Sequence, residues 1–254
     1  MFSEEYLDIA VVIKAAPELG RRHGETVCVA GIDANGKWHR LYPVPFRDLN
    51  YKQRFNRWDI VRFRWRRPSD DNRIESKRID PLSLVKLRML KRTEIPDFVA
   101  RAVVKSLDQE MAEKRSLALI RPELPRFGFR ALSKSELHKS QRRRDEMLSQ
   151  KDMFANTEIS IKAPPYQFYY EFYHAGRLRK HTCIDWETEA TFFKWRALYG
   201  EKDALNKMIQ KWGFDIPQRG VVFAMGTHRV PIFKNWLLSG IIQAESPKQI
   251  SFDL

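Results

Sequence analysis

The sequence predicts an α+β fold. Three observations point there: a first third dense in short β-branched runs and turn residues, a middle third with apolar residues at helical spacing, and a last third that mixes both. That order, strands first and helices after, argues against a doubly wound parallel sheet, which needs strict alternation. The expected division is a β-rich module over 1–92, a basic helical segment over 93–163 and an α+β part over 164–254, with one compact domain overall as the alternative.

The strands come first. Residues 9–13 (Ile-Ala-Val-Val-Ile) and 26–32 are short apolar runs, and Asn35-Gly36 supplies the residues that tolerate positive φ in a tight hairpin turn. Residues 38–44 return as a third strand, which Pro43 and Pro45 stop because proline cannot donate to a ladder. Residues 58–65 form a fourth, in which Val61, Phe63 and Trp65 alternate with Arg62, Arg64 and Arg66. Residues 74–79 close the set. So many short strands in so little chain predict a curled sheet or small barrel.

In the middle, Val99, Val103, Leu107 and Met111 recur every four residues and predict one helix over 96–115, with Pro96 in its first turn. Residues 116–120 read as a strand, and Pro122 and Pro125 as an irregular loop behind it. Residues 133–154 predict a very polar helix. Between Lys134 and Lys151 it carries six Lys or Arg against three acids, with Arg142, Arg143 and Arg144 at its centre, so it is either a solvated face or an arm laid on a partner.

After Pro164-Pro165 the aromatic run 166–174 predicts a strand, Ala175-Gly176 a turn and 177–184 the returning strand. Helices are expected over 186–199 and 201–212, parted by Gly200. A final strand pair, 221–225 and 236–242, is joined through a turn containing Gly226.

Charge carries the functional expectation. Lys and Arg number 46 against 32 Asp and Glu, a formal charge of +14. Such an excess favours approach to phosphate-rich partners in a salt-dependent way. The expected activity is nucleic-acid binding, DNA or RNA, by Arg54, Arg57, Arg62, Arg64, Arg66 and Arg67, with Arg142, Arg143 and Arg144 on the polar helix. Same-face residues on a strand recur about every 7 Å, close to the phosphate repeat of one nucleic-acid strand. Trp38 and Tyr42, with Trp58 and Trp65 nearby, could stack unpaired bases. The plainer reading is a solvated sheet face. A structural subunit docking on an acidic protein, or an anionic membrane surface, satisfies the same charge argument.

Catalysis is the competing expectation. Asp71 and Glu75, or Asp185 and Glu187 with His181, are the candidates for a metal-dependent nuclease holding Mg²⁺ or Mn²⁺. Against that, Asp-Asp-Asn is ordinary turn chemistry, Glu75 can pair with Arg73 or Arg78, and Asp185 can cap the helix behind it. On the binding reading no cofactor is required. His174, His181 and Cys183 lack the fourth ligand of a structural zinc site, and no P-loop, Gly-x-Ser-x-Gly or Gly-x-Gly-x-x-Gly motif is present. No apolar run reaches the length of a membrane span, and Glu4 and Glu5 stand where a secretion signal carries positive charge, so the expected setting is the cytoplasm, with Cys28 and Cys183 as thiols.

The segments Glu25 to Gly31, Trp38 to Phe46, Asp71 to Ser76 and Asp185 to Glu187 resemble an uncharacterised prokaryotic protein family over most of the chain, one with no known activity to carry over. The strand pattern of the first third also resembles small β-barrel nucleic-acid modules of the PUA or ASCH type.

Overall fold

A computed structural model describes residues 2, 5–14, 18–20, 24–26, 29–42, 44, 49–50, 53–149, 162–227 and 235–244. Its elements run β1 (Tyr6–Lys14), β2 (Glu18–Gly20), β3 (Gly24–Thr26), β4 (Val29–Ile32), β5 (Trp38–Tyr42), β6 (Asp59–Arg66), β7 (Ser76–Ile79), β8 (Val85–Met89), α1 (Ile95–Ala102), α2 (Leu107–Ala112), β9 (Leu117–Ile120), β10 (Glu123–Ala131), α3 (Lys134–Ser149), β11 (Tyr166–His174), β12 (Arg177–Thr182), α4 (Trp186–Tyr199), α5 (Glu201–Met208), a wider helical stretch Ile209–Asp215, a short α6 (Ile216–Gln218), β13 (Val221–Thr227) and β14 (Trp236–Gln243). The fold is α+β.

β1, β4, β5, β7 and β6 pair in that order, and β6 returns to β1, so the N-terminal sheet closes into a five-stranded barrel. β7 and β8 lie along the same side of β6 and act as one interrupted strand. The interruption is Asp80, which caps the short helical turn Pro81–Ser83 by accepting from the Leu82 amide. The lumen is filled by Ile9, Val11, Leu41, Val61, Phe63 and Ile79.

β1 explains its own composition. An alternating strand buries one face, yet residues 9–13 are all buried. Ile9 and Val11 fill the barrel, while Val12 and Ile13, shifted by an irregularity in the β4 pairing, enter a second core outside it. A continuous apolar run is what burial on both faces requires. At Gly31 on β4 an added Cβ would collide with the Ala10 carbonyl, so this close approach needs glycine.

That second core joins the barrel to the rest of the chain: Val12, Ala30 and Ile32 meet Val99, Ala102, Leu119, Val222, Ala224 and Ile242. β13 is the middle strand of the sheet β14-β13-β9, and all seven of its residues are buried. Val222 and Ala224 face the second core, and Val221, Phe223 and Met225 face a third. The third core is aromatic. Phe127, Phe168, Tyr170 and Phe172 of β10 and β11 pack on Phe192, Met208 and Trp212, and the Tyr170 hydroxyl donates to the Trp212 carbonyl at 2.7 Å. Each such ring contributes about 1.5–3 kcal/mol by burial.

Three expectations are corrected. The single helix over 96–115 is two, because Val103 is extended and bridges Leu119 of β9, and Ser106 then caps α2 by accepting from the Gln109 amide. The stretch behind residue 120 is strand β10 rather than a loop: Leu124 takes positive φ and the pairing shifts between Glu123 and Arg126, which accommodates Pro125. Gly226 lies inside β13, not in a turn. The polar helix is present to Ser149, and 150–161 lie outside the described residues. No described helix is long and apolar enough to cross a membrane.

Candidate nucleic-acid interface

β6 presents Arg62, Arg64 and Arg66 as exposed residues between buried Val61 and Phe63 and half-buried Trp65. Their electrostatic situations differ along the strand. Arg62 makes two 2.7 Å bonds to Asp8 on β1, and Arg64 donates to Asp80 at 3.0 Å. Both charges are matched. Arg66 instead lies over the Phe2 ring, 5.5 Å from its centroid, and no described carboxylate stands within ion-pair distance of it.

Register then gathers cations at that end of the barrel wall. Trp65 pairs with Ile79, so the next pair, Arg66 and Arg78, shares the outer face, and Tyr42 is aligned with Arg78 across β5 and β7. On the inner side of the same rim the Lys77 ammonium sits 3.8 Å from the Trp65 ring centroid. Burial lowers the Lys77 pKa and the neighbouring Arg67 charge lowers it further, with Glu75 partly offsetting both. Arg66, Arg67, Lys77 and Arg78 thus form a basic rim with Tyr42 and Trp65 beside it. Neither Lys77 nor Arg78 is a binding candidate in the sequence, where Arg78 stands only as a partner for Glu75; their signal is register, which is invisible until the strands pair.

The other expected binding residues are dispersed. Arg54 is exposed and donates to the Leu49 carbonyl. Arg57 is not on the stripe: it lies between the barrel and β14, bonded to the Ile241 carbonyl at 2.8 Å and Asp185 at 3.2 Å, with Glu187 at 3.7 Å. Trp38 packs against the second core and Trp58 meets Phe98 edge-on, so neither offers an open ring face. On α3, Arg142 is exposed, while Arg144 bonds Glu189 through both guanidinium nitrogens at 2.5 and 2.9 Å and latches the helix to α4. Arg143's side chain lies outside the described residues.

The carboxylate candidates do not converge. Asp71 accepts from Arg73 at 2.6 and 2.9 Å and from Ser76 at 2.8 Å, and Arg73 continues to the Thr227 carbonyl. Burial pushes the Asp71 carboxyl up, but the Arg73 bonds and charge outweigh it and hold the group below its ordinary value. Glu75 pairs with neither Arg73 nor Arg78 at bonding distance: it accepts from the Ser116 amide at 2.6 Å and hydroxyl at 2.9 Å, in a buried seam where Arg40 also reaches Ser116. Asp185 caps α4 through the Glu187 amide at 3.0 Å and takes the Ile241 amide at 2.7 Å. Glu187 is exposed. His181 turns toward the Trp236 carbonyl at 2.9 Å, and burial lowers its pKa. The Cys183 thiol is pushed up to about 12 by burial. Among the described residues no three His, Cys, Asp or Glu side chains are gathered as a metal site.

Comparison with known proteins adds kinship rather than activity. A solved structure described as "Molecular basis for abrogation of activation of pro-inflammatory cytokines" is similar at 13% identity and a TM-score of 0.31, over 72% of this chain and 77% of that one. At that TM-score it carries no argument. No curated protein matches the chain. The family described as Domain of unknown function (DUF8758) matches residues 5–100, which contain the barrel and the basic rim. The family described as Domain of unknown function (DUF8757) matches residues 100–254, more than half of the sequence, and the chain belongs to that family.

Proposed function

We propose that the protein binds nucleic acid through the basic rim of its barrel, in the cytoplasm and with no cofactor required. The observation that carries the reading is the cross-strand alignment of Arg66 and Arg78, with Arg67 and Lys77 beside them. A phosphate laid along this rim takes charge-assisted bonds from its guanidiniums. Counterion release from the phosphates then supplies affinity that falls as salt rises.

The test is a titration of fluorescent oligonucleotides across a salt series. The double variant R66A/R78A is expected to flatten the plot of log affinity against log salt by roughly 1.4 units for a single strand and roughly 1.8 for a duplex, one contact per arginine. Arg62→Ala is expected to change the slope less, since the bonding nitrogens of that guanidinium already hold Asp8. An unchanged slope in the double variant would remove the rim as the binding surface.

A further inference from the structure

Among the described residues, the same barrel face carries an exposed aromatic ring that the binding reading does not use. Tyr6, the first residue of β1, is 54% exposed, and it aligns with Arg64 of β6, with Arg62 and Arg66 as its diagonal neighbours. Cross-strand diagonals lie within reach of long side chains. The flanking guanidiniums are held in place by Asp8, Asp80 and the Phe2 ring. Three other aromatic residues of this region and Tyr42 differ from it: the Trp65 ring is covered by Lys77, Tyr42 is half-buried, and Trp38 and Trp58 pack into the body of the protein.

We propose that Tyr6 is a stacking platform for an unpaired base, and that the nucleic acid bound at the rim is single-stranded. This rests on the rim being the binding surface. In a duplex the base faces are stacked on one another, and a base edge is read by an element that enters a groove. A ring on an open sheet face reaches a base face in a duplex only by prying the stack apart, which costs a few kcal/mol per step. A single strand offers π-faces to any exposed aromatic, and its backbone can follow a line of arginines from Tyr6 toward Arg66 and Arg78. Arg66 of the rim is a diagonal neighbour of Tyr6, so one strand can stack on the ring and place a phosphate at the rim. Because stacking is indifferent to base identity, preference among sequences is weak.

Affinities of the full chain are to be measured for one labelled oligonucleotide as single-stranded DNA, single-stranded RNA and duplex DNA. Single strands are expected to bind more tightly than the duplex. Tyr6→Ala weakens single-strand binding between about 5-fold and 100-fold and leaves the duplex value unchanged, and Tyr6→Phe, which keeps the ring, restores it. Tighter duplex binding, or a single-strand affinity indifferent to Tyr6→Ala while R66A/R78A weakens it, overturns the stacking role and leaves the rim standing. Absence of salt-dependent binding to all three probes defeats the rim itself. Tyr6 is exposed, so its variants are expected to melt with the parent protein, and thermal denaturation checks this.

Discussion

Arg73 and Arg66 are the same residue type in adjoining stretches of chain, and they do opposite things. Arg73 is buried, bonded to Asp71 through two nitrogens and to the Thr227 carbonyl through a third, and so ties the barrel's turn to β13. Arg66 is exposed at the end of β6, faces Arg78, and lacks a described carboxylate partner. The first contributes to stability and the second to recognition. The number of arginines therefore overstates what a partner meets, because much of the chain's arginine is committed to its own acids, which the net charge of +14 already subtracts.

The contrast is broken most sharply at Arg73. Arg73→Ala removes a buried guanidinium and leaves the half-buried Asp71 carboxylate without that partner; losing one side of a buried pair costs about 3–5 kcal/mol, so urea unfolding should show a large drop in midpoint. Arg66→Ala should stay within about 0.5 kcal/mol of the parent in the same experiment. Equal destabilisation by the two would erase the distinction.

Acid sharpens it from the other side. The Asp71 carboxyl is depressed in the folded state below its ordinary value of 3.8, so its contribution is complete above that value and is lost as pH falls through the lowered one. Asp71→Asn is expected to be less stable at neutral pH and to show a shallower loss below pH ~4. A parallel acid profile in parent and variant would mean the pair contributes nothing. A local effect is expected at Glu189: Glu189→Gln weakens the latch to Arg144 and should cost about 1 kcal/mol, visible as earlier proteolysis of α3 rather than global unfolding.

The alternation in β6 and the unbroken apolar run of β1 made the barrel legible in the sequence, since period-2 patterning and two-sided burial leave direct marks. β10 was hidden by its prolines, which ordinarily end strands and here sit before and within an irregular pairing. The break between α1 and α2 was hidden because Val103 keeps the helical apolar period while its backbone bridges β9. Of the site, Arg66 and Tyr42 could be nominated from sequence, but the commitment of Arg62 to Asp8 could not. It depends on the register of β1 against β6, a long-range pairing that no local pattern encodes. Tyr6 was passed over for the same reason. A tyrosine at a strand's first residue carries no sequence mark of the arginines across from it.

β13, packed between two cores, bears on how this chain can be divided. The two family matches meet at Ala100, inside α1, and invite the view of two modules that could be exchanged or expressed separately. Yet Val12 and Ile32 of the barrel share their burial with Val222, Ala224 and Ile242 from the far side of that junction. A fragment ending near residue 100 would expose that apolar surface to water and invite self-association. The halves of this protein are accordingly bound to a common inheritance: a change in the barrel's outer wall must be answered in β13 and β14.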